Sequence, residues 1–276
     1  MEKHLLFLDL DGTLLNDAKQ ITPGNRAALD AALRRGHGVI ITTGRPLKSA
    51  MAHAHKLELD KPGCYLVAYN GAVIYDWAKQ EQLYCRSLPY DTVYRVFDYV
   101  NATGVHVQTY DTWDVLVERR CDNASVRRYC DGTIGFRVIE DVRTDLTEEP
   151  VKILIIDFDN KPALEAIQSW VLDNLSQEVE CFFSSGAYLE VVPKNIRKGE
   201  AVKMLCGILG VPVKNSVAVG DEANDLSMIV EAGTGVAMCN GIEPVRAAAD
   251  YITRNDNNHD GVAEVVEKFL GEAVTE

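Results

Sequence analysis

The chain has 276 residues, of which 47% are hydrophobic and 25% charged, as is ordinary for one large or two moderate globular domains. Its formal net charge of −13 argues against nucleic acid as a main partner, because phosphate backbones are bound by clustered Lys and Arg. Every apolar run is too short to span a bilayer, and no signal peptide is recognisable, so no membrane association is indicated. The seven cysteines are scattered and never form Cys-x-x-Cys, so we expect reduced thiols and a cytoplasmic protein.

The first strand is predicted to end in two carboxylates. Residues 5–8 form a short apolar run that stops at Asp9 and Asp11, followed by Gly12 and Thr13. The run is too short for a helix, so it predicts a buried strand. Side chains two apart on a strand point the same way, which lets both aspartates reach one spot. Taken alone, the stretch fits a solvated strand cap equally well, and the later strand ends decide between the two interpretations.

Helices and strands alternate through the next part of the chain. Thr22 and Pro23 mark a helix start, and Gly36 marks its end. A second β-branched run ends at Thr43, and a helical pattern follows it. This alternation predicts a parallel sheet with crossover helices. A third strand then turns at Asn70-Gly71 into a hairpin, which we interpret as a plain turn.

The pattern changes in the middle of the chain. Two helix-strand-strand units, at about 91–118 and 162–192, lie on either side of one extra strand. Paired strands without crossover helices predict a mostly antiparallel sheet covered by helices. We therefore predict a catalytic core made of residues 1–82 and 193–276, with an α+β domain inserted at 83–192.

Polar residues mark the resumed core. Lys198 stands where a helix begins, the strand at 216–220 is followed by Asp221, and Asn224 and Asp225 open the next helix. The carboxyl ends of parallel strands meet at one edge of a sheet. We therefore expect these residues to lie near the two aspartates of the first strand.

Several carboxylates at one edge require a counter-charge. Like charges about 4 Å apart repel by roughly 4 kcal/mol at an effective dielectric of about 20. A bound Mg²⁺ offsets this repulsion, and oxygen ligands without His or Cys favour that ion. The cation, Lys198 and the backbone amides after Asp9 suit a phosphate group, with further hydrogen bonds from Thr43 and Asn224.

The two aspartates of the first strand are expected to divide the chemistry. Asp9, held ionised by Mg²⁺ and Lys198, is the candidate nucleophile that forms an aspartyl-phosphate. Asp11, which we expect to lie beyond direct contact with those cations, is the candidate acid that protonates the leaving oxygen and later activates water.

Four motifs resemble those of the haloacid dehalogenase superfamily of phosphatases, and further stretches resemble its Cof-type branch, class IIB. The motifs are Asp9-Leu10-Asp11-Gly12-Thr13, Thr43-Gly44-Arg45, Lys198-Gly199 and Gly220-Asp221-x-x-Asn224-Asp225. The resemblance covers nearly the whole chain and implies an α/β fold, with a Rossmann-like parallel-sheet core and an inserted α+β cap domain of the C2 type.

The resemblance also implies roles for the motif residues. It implies phosphate contacts from Leu10, Thr43, Gly44, Lys198 and Asn224. It implies Mg²⁺ ligation by Asp9, Asp221, Asp225 and the backbone carbonyl of Asp11, with Asp225 acting either directly or through water.

The sequence therefore predicts a Mg²⁺-dependent phosphatase of small phosphorylated metabolites, with sugar phosphates as the leading class. A sugar phosphomutase or phosphotransferase, and a phospho-accepting sensor, are the alternatives. An inserted cap disfavours the sensor, because a closing cap serves to exclude water and select substrates. The cap loops at 110–114, 119–122 and 184–188 are expected to meet the substrate, and Arg119 and Arg120 either bind a second anionic group or lie on the surface. The sequence does not indicate an oligomeric state.

Overall fold

The apolar run near the N-terminus forms a strand in the middle of a large sheet. The computed structural model of the chain describes residues 2–111, 114–121, 123–130 and 135–271. The strands of this part of the chain are, in order, β1 (Leu5–Leu8), β2 (Gly38–Thr42), β3 (Cys64–Ala68), β4 (Val73–Asp76), β5 (Glu81–Cys85), β6 (His106–Tyr110), β7 (Val115–Glu118), β8 (Phe136–Ile139), β9 (Ile153–Ile156), β10 (Val179–Ser185), β11 (Tyr188–Pro193), β12 (Ser216–Gly220), β13 (Thr234–Ala237) and β14 (Tyr251–Ile252). The helices are α1 (Pro23–Arg34), α2 (Leu47–Lys56), α3 (Tyr90–Thr103), α4 (Asn123–Cys130), α5 (Val142–Asp145), α6 (Lys161–Leu175), α7 (Lys198–Leu209), α8 (Leu226–Glu231), α9 (Glu243–Ala248) and α10 (Gly261–Leu270).

The first unit of the fold contains a sheet whose central strands run in parallel. It comprises Met1–Pro46, Ala50–Tyr84 and Arg197–Glu276. The strand order is β14-β13-β12-β1-β2-β3-β4-β5, and the strands from β14 to β3 are parallel. β4 returns antiparallel to β3 after a turn at Tyr69–Gly71. β1 has β2 on one side and β12 on the other, which is the kind of position where open α/β sheets bind ligands at their carboxyl ends.

The core of this unit depends on a strand that is buried on both faces. All four side chains of β1 are completely buried, as expected for a continuous apolar run in a parallel sheet. Leu5 and Phe7 pack in one cluster with Leu205 of α7 and Met228 of α8. Helix α1 packs against β2 and against α10.

The second unit has its own sheet, in the order β10-β11-β9-β6-β7-β8. It comprises Leu47–Ser49 and Cys85–Ile196. The neighbouring strands are antiparallel except for β7 and β8, which are parallel. Phe97 of α3, Val171 of α6 and Ile155 of β9 belong to one buried cluster, so these two helices pack on the sheet.

The predicted α/β architecture, with a mostly antiparallel second sheet inserted into a parallel one, is confirmed. The limits predicted for the core and for the inserted domain stay predictions. Among the helices in the described part of the chain, none has both the length and the apolar character that crossing a membrane requires.

The close approach of α7 to α8 leads to a prediction about helix packing. The amide of Gly199 donates to Oγ of Ser227 at 3.1 Å, and a Cβ on Gly199 would lie 2.4 Å from the Ser227 carbonyl oxygen. Gly199→Ala is therefore expected to separate the helices and to lower the free energy of unfolding by about 1–3 kcal/mol. Urea denaturation measures this loss.

Gly207 provides the matched control in the same helix. Nothing lies within 4 Å of a Cβ added there. Gly207→Ala is therefore expected to raise stability by up to about 1 kcal/mol, because alanine favours a helix over glycine. Similar effects of the two substitutions would contradict the close packing at Gly199.

Candidate active site

Three adjacent strand ends and one helix start bring the predicted site residues together in the first unit. Asp9 follows β1, Thr43 follows β2 and Asp221 follows β12, and these strands are neighbours in the sheet. Lys198 is the first residue of α7. Asp9, Thr43 and Asp221 are all less than 9% exposed, and Lys198 is completely buried. The site is therefore a set of polar groups taken out of water, which is stable only if the groups are paired.

Lys198 makes two buried ion pairs. Its Nζ lies 2.6 Å from Oδ1 of Asp9 and 2.5 Å from Oδ1 of Asp225. Burial alone would lower the pKa of Lys198, but the two carboxylates raise it above its ordinary value. The ammonium is therefore held charged, and it fixes the orientation of the candidate nucleophile.

Asp225 holds the neighbouring groups in place with both of its oxygens. Oδ1 accepts from Lys198, while Oδ2 accepts from the amides of Asp221 at 2.9 Å and Glu222 at 3.0 Å. A Cβ on Gly220 would lie only 2.4 Å from the Cβ of Asp225, so the strand end needs glycine there. These contacts make Asp225 a residue that positions Asp221 and Lys198.

The turn after the first strand is shaped around Asp221. The Thr13 hydroxyl donates to Oδ1 of Asp221 at 2.6 Å, and Thr13 is completely buried. Gly12 has a φ of +82°, and a Cβ there would lie 2.2 Å from Oδ2 of Asp221. This contact of Thr13 was not predicted, although the position of Thr13 in a motif directly after the strand end was the available signal.

The buried carboxylates form a group with the spacing of a metal site. Asp9, Asp221 and Asp225 each offer an oxygen, and these atoms lie within 4.8 Å of one another. Burial raises the pKa of Asp9 to about 7, although Lys198 opposes the shift, and burial raises the pKa of Asp221 to about 6. Three carboxylates face one ammonium, so the ionised group carries a net charge of −2. An all-oxygen set with excess negative charge fits a hard divalent cation.

Asp11 is bound by two cations other than Mg²⁺ and Lys198, the two with which we expected it to make no direct contact. Nζ of Lys19 lies 2.7 Å from its Oδ1, and a guanidinium nitrogen of Arg45 lies 2.8 Å from its Oδ2. Burial raises the pKa of Asp11, but the hydrogen bonds from Lys19 and Arg45 outweigh it and leave the pKa below its ordinary value. The expectation considered only Mg²⁺ and Lys198 and missed these two side chains. The side chain of Asp11 does not belong to the buried carboxylate group.

The rim of the site is formed by the loops after β2 and β3. The amide of Asn70 donates to the Thr43 carbonyl at 3.0 Å, and Nδ2 of Asn224 donates to Oδ1 of Asn70 at 3.4 Å. A Cβ on Gly44 would lie 2.9 Å from the same Asn70 oxygen. The interpretation of this turn as a simple chain reversal is therefore incomplete, because it also connects Thr43 to Asn224. Leu10 is buried, and its predicted phosphate contact stays a prediction.

The predicted cap loops lie in the second unit and are described only in part. Residues 112–113 and 122 lie outside the described residues. Arg119 forms an ion pair with Glu140, and Arg120 forms one with the buried Glu118. Each arginine therefore has a carboxylate partner within this unit.

The ion pairs of Lys198 lead to a prediction about stability and pH. Lys198→Met is expected to lower the free energy of unfolding of the metal-free protein by about 3–5 kcal/mol at about pH 8, because buried carboxylates lose their cation. The pKa of Asp9 is raised to about 7, so at about pH 5.5 this carboxyl binds a proton in the folded state and part of the loss disappears. Urea unfolding at the two pH values measures the difference.

Lys203→Met is the matched control on the same helix. Lys203 is 42% exposed and pairs with Glu200 and Glu231 on the surface. Exposed pairs of this kind contribute little to stability, so we expect a small effect without pH dependence. An equal loss at both pH values for Lys198→Met would contradict the assigned coupling to Asp9.

The chain is similar over almost its whole length to known hydrolases. A family model described as haloacid dehalogenase-like hydrolase matches residues 6–266. Two Bacillus subtilis proteins named 5-amino-6-(5-phospho-D-ribitylamino)uracil phosphatase are similar to it. YitU is 30% identical over 274 residues, covering 97% of this chain and 97% of YitU, and YcsE is 31% identical over 268 residues, covering 96% and 95%. The crystal structure of a haloacid dehalogenase-like hydrolase from Bacteroides thetaiotaomicron superposes with a TM-score of 0.86 at 34% identity, over 97% of this chain and 99% of that one.

Proposed function

The chain belongs to the haloacid dehalogenase-like hydrolases and is a phosphatase of this type, and we propose that Asp9 and Asp11 carry out its reaction on small phosphorylated metabolites. The observation that carries the proposal is the buried hydrogen bond from Lys198 to Oδ1 of Asp9. It orients a carboxylate at the carboxyl end of a central strand, where a ligand can reach it.

We propose Mg²⁺ as the cofactor, because the group formed by Asp9, Asp221 and Asp225 has only oxygen donors and an excess of negative charge. Asp9, Asp221 and the backbone carbonyl of Asp11 would hold the ion, and Asp225 would keep Asp221 in place. When bound, the cation neutralises the carboxylates and the phosphoryl oxygens.

The side chains of the chain itself then perform two steps. In the first step an oxygen of Asp9 attacks phosphorus and the ester bond breaks, while a protonated Asp11 donates its proton to the leaving oxygen. Lys19 and Arg45 hold the pKa of Asp11 below its ordinary value, so Asp11 would carry this proton only after a bound substrate has weakened one of those contacts. In the second step Asp11 takes a proton from water, which attacks the aspartyl-phosphate and releases phosphate. Lys198 keeps Asp9 in position, and Thr43 and Asn224, with the backbone of Leu10 and Gly44, would bind the phosphoryl oxygens.

The proposed substrates are phosphomonoesters of small metabolites, with sugar phosphates as the leading class. YitU and YcsE are named for a compound whose phosphate is carried by a ribityl chain, which is a polyol. We propose that the inserted residues 83–192 act as the cap that selects among such substrates, and that residues 1–82 and 193–276 form the catalytic core. Such a division lets one chemistry serve many substrates.

The proposed reaction is tested by measuring phosphate release from sugar phosphates, nucleotides and 4-nitrophenyl phosphate. Release is expected with Mg²⁺ and is expected to be lost with a chelator. Asp9→Asn is expected to lower the rate to background, because an amide is a poor nucleophile. Circular dichroism of the variant shows whether it is folded. Substantial turnover by folded Asp9→Asn would contradict the covalent mechanism, and formation of an isomeric sugar phosphate without free phosphate would indicate phosphotransfer instead.

The metal site is tested by thermal stabilisation, which does not depend on turnover. Mg²⁺ is expected to raise the Tm of the wild-type protein, because a ligand bound only to the folded state stabilises it. Thr13→Val removes the hydroxyl that orients Asp221, so the Mg²⁺ concentration for half-maximal stabilisation should rise about tenfold or more.

Thr13→Ser keeps the hydroxyl and is the conservative control, for which we expect a concentration close to that of the wild type. Asp221→Asn is expected to abolish the shift. Equal stabilisation of Asp221→Asn and the wild-type protein would rule out this group as the metal site.

A further inference from the structure

A lysine outside the buried cluster reaches Asp11 from a tight turn. The amide of Lys19 donates to the Asn16 carbonyl at 2.9 Å, and the amide of Asn16 donates to the Gln20 carbonyl at 2.9 Å. Lys19 has a φ of +57°, a left-handed conformation that is uncommon for a residue with a side chain. Such conformations persist where the surrounding structure holds them, and they cluster at functional sites. In this conformation the ammonium of Lys19 lies 2.7 Å from Oδ1 of Asp11.

The turn is fixed by residues from the far end of the sequence. Nδ2 of Asn257 donates to the Leu15 carbonyl at 2.9 Å. Oδ1 of Asn258 accepts from the amide of Asp17 at 3.1 Å. The position of Lys19 is therefore determined by the folded core as well as by its own turn.

Lys19 differs from Lys198 in its exposure and in the carboxylate that it contacts. Lys198 is completely buried and binds Asp9, whereas the side chain of Lys19 is 62% exposed and binds Asp11, which is itself 41% exposed. Under the proposed function, Asp9 attacks phosphorus and Asp11 protonates the leaving oxygen. Lys19 therefore stands on the leaving-group side of the reaction.

The group formed by Lys19, Asp11 and Arg45 carries a surplus of positive charge. Two cations face one carboxylate, so their sum is +1, in a chain whose net charge is −13. Each cation holds one oxygen of Asp11, so an oxygen that serves the leaving group must first be released. Lys19 is the more exposed of the two cations, with 62% against 35% for Arg45. It is therefore the one that can turn to a group on the substrate.

We propose that Lys19 is a specificity-determining residue that binds an anionic group, a carboxylate or a second phosphate, on the leaving portion of the substrate. The proposal rests on the proposed function of Asp11. An anion at this place draws the ammonium of Lys19 away from Asp11, while Arg45 stays. Binding of such a substrate therefore releases one oxygen of Asp11 from its ion pair. A substrate with a neutral leaving portion lacks this contact.

The test compares matched substrate pairs that differ only in the anionic group: 3-phosphoglycerate with glycerol 1-phosphate, and fructose 1,6-bisphosphate with fructose 1-phosphate. The first pair tests a carboxylate and the second a phosphate. Wild-type protein is expected to show a higher kcat/KM for an anionic member, and Lys19→Met is expected to lower that value about tenfold without lowering the kcat/KM of the neutral member. Where a compound is not turned over, its inhibition constant against 4-nitrophenyl phosphate replaces kcat/KM.

Two control variants accompany this comparison. Lys19→Arg is expected to retain the preference, and Lys79→Met, which removes an exposed lysine paired with Glu81 elsewhere in the same unit, is expected to leave both members unchanged. If Lys19→Met lowered kcat/KM equally for both members of a pair, Lys19 would bind the phosphoryl group that they share, and the proposal would be overturned. No preference in the wild-type protein, or no change in Lys19→Met, would overturn it as well. Absence of 4-nitrophenyl phosphate hydrolysis by the wild-type protein would instead contradict the proposed function itself.

Discussion

The buried ammonium of Lys198 is the group on which the site depends. It lies between Asp9 and Asp225 with no exposure to solvent, and a charge in that environment is tolerated only when it is paired. Asp225 in turn binds the amides of Asp221 and Glu222. One cation therefore connects the end of β1 to the loop after β12, and the orientations of Asp9, the proposed nucleophile, and of Asp221 follow from the same contacts.

The group formed by Asp11, Lys19 and Arg45 is more exposed than the cluster around Lys198. Asp11 is half-exposed and is bound by Lys19 and Arg45, each of which comes from a surface loop. Exposed ion pairs contribute little stability and exchange partners readily. The inner group is thus suited to hold fixed charge, whereas the outer group is suited to change partners when a substrate arrives. This contrast matches a reaction in which one carboxylate stays in place and another transfers protons.

The strand ends could be predicted from the sequence because short apolar runs followed by polar residues have a direct structural meaning in a parallel sheet. That rule placed Asp9, Thr43 and Asp221 at one edge, and the same rule applied to Asn70 would have placed its turn there as well. Lys19 could not be found in this way. Lys19 reaches Asp11 from a turn in which its own φ is left-handed and in which Asn257 donates to the Leu15 carbonyl. No local sequence pattern indicates either feature.

The pairing of β1 with β12 has a consequence for how the protein is made. Synthesis from the N-terminus delivers Leu5–Leu8 long before Ser216–Gly220, and the second unit separates them. The free-energy cost of closing so long a loop grows slowly, by about 0.6 kcal/mol for each doubling of its length. The final fold therefore tolerates the insertion. Until β12 emerges from the ribosome, however, one edge of β1 lacks its native partner, and until Lys198 emerges Asp9 lacks its cation. The nascent chain thus exposes an apolar strand edge, which is the type of surface that chaperones and aggregation compete for.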